Sequence, residues 1–219
     1  MYNSAGIKRR FIKEAKSFDS LYDTGSMNPV IRFINRWLRK DIYERYLLTI
    51  DHVNKYLPKS ILDVGCGSGR YGHILVKCGI KKYVGIDFSP HMIELAKEST
   101  KEKIKGVDIQ WKCIDFKNYQ NDELFDTIIA MGYFDYVKDT REILLRMKSL
   151  VRHSIVASFP SVSFLRNTIR KVRYIFKKCP VYFYDERIIL FLAKDIGFSK
   201  VEVNKIKGQG MDYFVVFYV

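Results

Sequence analysis

The sequence predicts an α/β fold with a mostly parallel sheet, crossover helices between its strands, and an antiparallel hairpin at the end. Three observations carry that expectation. From residue 60 onward, short apolar segments that end on an acid alternate with amphipathic segments of helical period, the pattern of strand–helix–strand crossovers. Gly65, Gly67 and Gly69 follow the first apolar segment directly, where the backbone must turn sharply and lie close to whatever it binds. Two apolar stretches, Lys200 to Ile206 and Tyr213 to Tyr218, close the chain and read as the hairpin.

At 219 residues the chain fits one domain with a full core. Its 47% hydrophobic and 28% charged content describes an ordinary globular protein. No apolar run reaches the ~18 residues of a membrane span. The first 16 residues mix Lys8, Arg9, Arg10, Lys13 and Glu14 and lack the apolar stretch of a secretory signal. Cys66, Cys78, Cys113 and Cys179 show no C-x-x-C spacing. Four thiols without a framework favour a reducing, cytoplasmic setting and buried free cysteine. The net charge of +14 is unevenly spread. Residues 1–60 carry 12 Lys and Arg against 6 Asp and Glu, residues 61–150 carry 14 against 13, and residues 151–219 carry 12 against 5. A neutral middle between basic flanks favours an anionic ligand, a nucleic acid or an anionic membrane surface on the flanking side.

The elements follow in order. Residues 1–25 lack periodicity and read as an arm. Asn28-Pro29 punctuates the start of a helix from Val30 to Arg39. A second helix, Ile42 to Tyr56, sets Ile42, Tyr46, Ile50 and Val53 on one face. Pro58 ends it, and the first strand begins at Ser60. Residues 1–59 thus form an N-terminal arm with helices, and residues 60–219 a core carrying an insertion at about 160–182. A second strand, Tyr83 to Asp87, runs into Ser89-Pro90, a helix start. A third, Ile109 to Ile114, ends at Asp115-Phe116; a fourth, Phe125 to Met131, runs into Gly132-Tyr133-Phe134-Asp135. The helix Thr140 to Lys148 and the strand His153 to Phe159 follow, and then the insertion. There Arg166, Arg170, Arg173 and Lys177 recur at helical spacing beside Leu165, Ile169, Val172 and Phe176. That is an amphipathic helix, either a solvated basic face or a lid over a ligand. The helix Asp185 to Ile196, with Gly197 as its C-cap, leads to the hairpin.

The chemistry concentrates in Ile61-Leu62-Asp63-Val64-Gly65-Cys66-Gly67-Ser68-Gly69-Arg70-Tyr71-Gly72. Residues 67–72 match G-x-G-x-x-G, the dinucleotide fingerprint, which is weak alone. Asp63, two residues before the first glycine, would repel a pyrophosphate there. A ligand with a cationic end and no phosphate would welcome it. Asp87, 18 residues after Gly69, lies where a carboxylate can accept hydrogen bonds from both ribose hydroxyls of a nucleoside.

This arrangement resembles motif I of the class I S-adenosylmethionine-dependent methyltransferases, an acid followed by G-x-G-x-G. Gly85-Ile86-Asp87-Phe88-Ser89 and the strand Phe125 to Met131 resemble the family's later motifs. The resemblance implies a Rossmann-like, seven-stranded, mostly parallel sheet with a terminal antiparallel strand, N-terminal helices and a helical lid. It implies S-adenosylmethionine as methyl donor, S-adenosylhomocysteine as product, and no metal. It assigns cofactor contacts to Asp63, Gly65, Cys66, Gly67, Gly69, Asp87, Phe88, Asp115, Phe116 and Met131. Asp63 would hold the amino-acid end, Asp87 the ribose, and Asp115 with Phe116 the adenine. Asp115 can instead be a turn or helix cap.

Methyl transfer from a sulfonium is an in-line displacement with an activated leaving group. Alignment, desolvation and charge stabilisation are therefore the protein's share. An oxygen acceptor would still want a general base, for which Tyr133, Asp135, His153 and His52 are candidates. Tyr133 can instead be a pocket wall whose face attracts the sulfonium methyl. The N/D-P-P-Y/F of many amino-base methyltransferases is absent: the position reads Gly132-Tyr133-Phe134-Asp135. The layout is also similar to that of small-molecule O-methyltransferases such as the magnesium-protoporphyrin enzyme. The expected activity is methyl transfer to oxygen or nitrogen of an anionic or amphipathic small molecule, with Arg166, Arg170, Arg173 and Lys177 on its lid. The alternatives are a nucleic-acid methyltransferase and a non-catalytic, cofactor-binding subunit at a membrane surface or in a complex.

Overall fold

The computed structural model describes residues 40–100, 106–161, 181–206 and 212–219. The arm, the helix expected over Val30 to Arg39 and the basic helix bearing Arg166, Arg170, Arg173 and Lys177 lie outside these residues.

Seven strands form one sheet: β1 Ser60–Val64, β2 Lys82–Asp87, β3 Asp108–Cys113, β4 Phe125–Ala130, β5 Val151–Phe159, β6 Lys200–Lys205 and β7 Tyr213–Tyr218. Their spatial order is β3-β2-β1-β4-β5-β7-β6. All pairs from β3 to β5 are parallel, and β7 runs antiparallel to both β5 and β6. The closing hairpin therefore contributes one reversed strand, inserted inside the sheet, and its first strand becomes the edge. The order reverses between β1 and β4, both of which begin crossovers to opposite sides. Ligands of open α/β sheets bind beyond the carboxyl ends of the strands at such a point.

Among the described residues, five helices pack on the sheet: α1 Lys40–Tyr56, α2 Arg70–Leu75, α3 Pro90–Ser99, α4 Thr140–Lys148 and α5 Glu186–Ile196. Alternation along each strand divides the core in two. Leu62, Val84, Ile128, Ile155 and Phe217 face α4 and α5, meeting Ile143, Leu144, Met147, Ile189 and Ala193. Ile61, Tyr83, Ile129, Val156 and Phe214 face the other way, meeting Val53 of α1 and Leu75 of α2. Ser89 caps α3 by accepting from Met92 N, with Pro90 at its first position. Asp185 caps α5 from Ile188 N, and Gly197 in the left-handed region ends it, as the sequence predicts.

Helix α1 differs from its expected face. Beside Val53, its buried residues are Thr49 and His52, whereas Tyr46 and Ile50 are only half-buried. The reason lies in the sheet beneath, where Thr127, Ser154 and Ser158 are buried and polar. Arg45 donates to Ser158 Oγ (3.3 Å), and His52 Nε2 lies 3.1 Å from Ser154 Oγ, itself 3.1 Å from Thr127 Oγ1. A polar seam on the helix thus matches a polar seam on the strands, a pairing that buried hydroxyls require.

Burial pushes the His52 imidazole down to about 4; Lys55 assists and Glu202 opposes. The folded state holds it neutral, so its contribution to stability is complete above pH 6.5 and is lost as pH falls from 6.5 towards 4. Compared with His52→Gln, which keeps a polar partner for Ser154, the wild type is expected to lose about 1–2 kcal/mol across that window once solvation is discounted. Denaturant unfolding of both proteins at pH 7 and pH 4.5 measures this. Parallel loss in the two would contradict it.

Candidate functional site

The site is assembled at the carboxyl ends of β1, β2 and β4. Gly65 N and Cys66 N both donate to Ile86 O, at 2.9 and 3.0 Å, which straps the turn after β1 to the tip of β2. Gly65, Gly67 and Gly69 all take positive φ (74°, 53° and 79°), a region that other residues enter only at a cost. The Asp87 carboxyl then locks the turn: Oδ2 accepts from Gly67 N (3.1 Å) and Oδ1 from Ser89 N (2.8 Å). A Cβ placed on Gly67 would meet nothing within 4 Å. The backbone there faces open space rather than packed atoms.

Asp63 lies beneath the turn, 1% exposed, and accepts a hydrogen bond from the Tyr83 hydroxyl. Burial pushes its carboxyl up to about 7; the Asp87 charge adds to this and the Tyr83 hydrogen bond counters it. Asp87 is raised in the same direction by burial, against the hydrogen bonds from Ser89, Gly67 and Phe88. Two carboxyls held together in this way are stabilised as anions by a cation placed beside them. Cys66 is buried, and its thiol is pushed up by burial with Asp63 and Asp87 nearby. Its side chain packs toward Gly85, which leaves its backbone as the part that can face a ligand.

Gly69 and Gly72 have another duty. A Cβ on Gly69 would meet Trp111 Cη2 at 2.7 Å and Ala96 Cβ at 2.9 Å, and one on Gly72 would meet Trp111 Cη2 at 2.6 Å. The third glycine of the apparent dinucleotide fingerprint is thus spent on seating an indole, a helix–strand packing role. Trp111, on β3, also donates to Thr100 Oγ1 (3.0 Å). The sequence reading missed it, because only the pairing of β2 with β3 brings the indole over the glycines.

Beyond β4, Tyr133 stands over the turn: a Cβ on Gly65 would lie 2.9 Å from its Cδ2. Its ring meets Phe116 edge-on at 6.4 Å. Burial first, and then the charges of Asp115 and Asp87, push its phenol well above the ordinary range. Such burial suits the wall reading of Tyr133. Met131 is half-buried on the same loop, as is Phe88 beside Asp87. Asp115 accepts from Lys117 N (3.1 Å) and caps the turn Phe116 to Asn118, so the capping alternative holds for it. Phe116 is 3% exposed, with the Arg146 guanidinium 5.8 Å from its ring centre. It supports Tyr133 from the core.

Asp135 lies in the turn Phe134 to Tyr136, and its carbonyl accepts from Tyr182 N (3.0 Å). His153 is not brought to the site. It is exposed near the start of β5, whose first residue pairs with the first of β4. Six residues separate it from the strand's carboxyl end, ~20 Å of extended chain. His52 is likewise spent on Ser154, at that far end of the sheet.

Arg45 is the residue the sequence reading missed on this side. Its guanidinium lies over Gly132, where a Cβ would come within 3.4 Å of Nη2. The signal was present: Arg45, Thr49, His52 and Tyr56 form a polar stripe at helical spacing.

Among the described residues no group of His, Cys, Asp and Glu could hold a metal ion, and no helix is long and apolar enough to cross a membrane.

Residues 61–154 match a family model described as a methyltransferase domain. The chain is 27% identical over 176 residues to a mitochondrial ubiquinone biosynthesis O-methyltransferase of Dictyostelium discoideum, covering 72% of this chain and 54% of that protein. It is 28% identical over 124 residues to the Actinobacillus pleuropneumoniae protein of that name, covering 53% of each. The chain thus spans about half the length of the curated relatives it matches. Among solved structures, magnesium protoporphyrin IX methyltransferase from Synechocystis, with bound S-adenosylhomocysteine, superposes with a TM-score of 0.74 at 17% identity, covering 99% of this chain and 100% of that one. The fold is the class I methyltransferase fold that the sequence resemblance implied.

Proposed function

We propose that this protein, whose residues 61–154 match a methyltransferase-domain model, transfers a methyl group from S-adenosylmethionine to an oxygen of a small-molecule acceptor. The observation that carries this is the pair of acids at the tips of β1 and β2, Asp63 buried and Asp87 half-buried. Asp87 is pinned across the turn by Gly67 N and Ser89 N, with Asp63 beneath it and the backbone of Gly67 facing open space. That pair of carboxylate acceptors fits a ligand with a diol and a cationic end, and it disfavours a pyrophosphate. The named O-methyltransferase relatives support oxygen as the acceptor atom.

The cofactor, when bound, supplies an electrophilic methyl group on a sulfonium. The chain's own residues do the rest. Asp87 would accept from the ribose hydroxyls and Asp63 would balance the ammonium end, while the strapped turn keeps both from shifting. Tyr133, protonated and half-buried, walls the site and excludes water, and its ring face favours a neighbouring cation. Asp135, just beyond it in the loop after β4, is the carboxylate that would take a proton from an acceptor hydroxyl in this reading. The basic segment on which the nucleic-acid and membrane alternatives rest lies outside the described residues, and no described feature favours either.

The pH dependence of binding tests the reading. Free Asp63 titrates at about 7, and a cationic ligand needs it ionised. Affinity for S-adenosylhomocysteine, which keeps the ammonium, is expected to fall as pH drops below 7, approaching about tenfold per pH unit. Tyr83→Phe removes the hydrogen bond that holds the carboxyl down, so its fall is expected to begin at higher pH. Calorimetric titrations between pH 5.5 and 8.5 read both effects. Absence of binding, or an affinity flat across that range, would defeat the assignment.

A further inference from the structure

Helix α5 is apolar on more than the face it buries. Ile189, Ala193 and Ile196 point into the core, so the outer side of a solvated helix should be polar. Yet Ile188, Leu190 and Phe191 are exposed there, and Leu145 of α4 is exposed beside them. Phe191 is 68% exposed, the most of any large apolar side chain among the described residues. Single apolar residues on a surface are ordinary, whereas a contiguous patch marks a place of contact.

Next to this patch lies a groove of about 620 Å³, lined by Leu145, Ile188 and Leu192 of the two helices and by Tyr182, Phe183 and Tyr184 ahead of α5. Phe191 adjoins Leu192 and is one helical turn on from Ile188. A projecting aromatic ring and an apolar groove therefore stand side by side on one helix. Such a surface is complementary to itself: under a twofold axis, the ring of each copy meets the groove of the other. Charge separates this partner from others. At the groove, Lys138 and Arg141 are matched by Asp139 and Glu142. Along α5, Arg187 and Lys194 are matched by Glu186 and Asp195. In a chain of net charge +14, this face is neutral. An anionic membrane or a nucleic acid would find no excess of cations here, whereas a second copy meets balanced charge without repulsion.

We propose that this face pairs two copies of the chain, with Phe191 of each seated in the α4–α5 groove of the other. A buried aromatic anchor in an apolar groove, rimmed by polar residues, is the usual energetic centre of an interface. The pairing does not depend on the methyl-transfer reading, although the groove wall is tied to the loop after β4. Tyr182 N donates to Asp135 O (3.0 Å), and the Tyr184 hydroxyl lies 2.6 Å from Thr140 Oγ1. A ring packed against that wall holds the loop in place.

Sedimentation equilibrium of the full chain, from about 1 to 100 μM, is expected to find a dimer. Phe191→Asp and Leu145→Lys change opposite halves of the contact. Each is expected to raise the dissociation constant by about a hundredfold or more, since each removes two buried apolar side chains per dimer. Mixing the two variants is expected to restore pairing. One ring-in-groove contact is then intact, and in the other the introduced acid faces the introduced amine. A mass of one chain throughout, a dimer that Phe191→Asp leaves intact, or variants that stay monomeric when mixed would each overturn the proposal. A monomer whose melting temperature falls by more than about 5 °C on Phe191→Asp would overturn it too, because the chain's own residues then cover the ring. The same holds if the wild type floats with phosphatidylserine vesicles and Phe191→Asp abolishes this, because a membrane then takes the face.

Discussion

Asp87→Ala is expected to weaken binding of S-adenosylmethionine and S-adenosylhomocysteine by several hundredfold or more. The carboxylate does two things at once. It accepts from Gly67 N and Ser89 N, which holds the turn after β1 in its left-handed conformation. In the proposed function it also presents the acceptor oxygens that a ribose diol needs. Each hydrogen bond to a charged group is worth about 1.5–3 kcal/mol, so two lost contacts amount to roughly 3–6 kcal/mol before loosening of the turn is counted. The free protein should remain folded, because burial raises the Asp87 pKa and ionisation there is a strain on the unliganded state. Calorimetric titration with S-adenosylhomocysteine, paired with thermal unfolding of the free protein, separates the two effects. An affinity within about fivefold of the wild type would remove Asp87 from the site.

Gly85→Ala carries the largest expected effect on stability. Gly85 lies mid-strand in β2, paired with Asp63 on one side and Trp111 on the other. A Cβ there would lie 2.3 Å from Trp111 Cζ3, 2.5 Å from Cε3 and 3.1 Å from Cys66 Sγ. The indole has nowhere to retreat, since it is also seated against Gly69 and Gly72 and edge-on to Tyr83 at 5.4 Å. Overpacking of this severity costs about 3–4 kcal/mol, a melting point lowered by about 10 °C in a chain of this length. Because Gly85 pairs with Asp63, the distortion also reaches the site, and cofactor affinity should drop with stability. Trp111→Leu makes room, so the double variant is expected to be more stable than the sum of the single changes by about 1–2 kcal/mol. Strict additivity would show that the indole is not what the glycine accommodates.

Much of the cofactor side was legible in the chain itself. Asp63, Gly65, Gly67 and Asp87 announce their places because each sits at a fixed offset from a strand end, and strand ends are local features of hydrophobic pattern. The acceptor side was less legible. Tyr133 was placed correctly as a loop residue after β4, but its fitness as a base depends on burial and on Asp115 and Asp87, which are distant in sequence. His153 looked available because it opens an apolar strand, and only the pairing of β5 with β4 puts it at the wrong end. Arg45 went unnoticed because hydropathy points to the apolar stripe of a helix, whereas α1 buries its polar one against Ser154, Thr127 and Ser158.

What the sequence determined by itself was the period and the punctuation: alternation of strand and helix, the glycine turn, the acids that follow strands, and the closing hairpin. These are set by contacts between near neighbours and by which residues tolerate a positive φ. Tertiary structure alone decided that β7 slips between β5 and β6, that Gly72 and Gly85 serve an indole, and that α1 delivers a guanidinium beside the donor site. Each of those depends on two segments far apart in the chain meeting across the sheet, and the spacing of residues along either segment carries no record of the other.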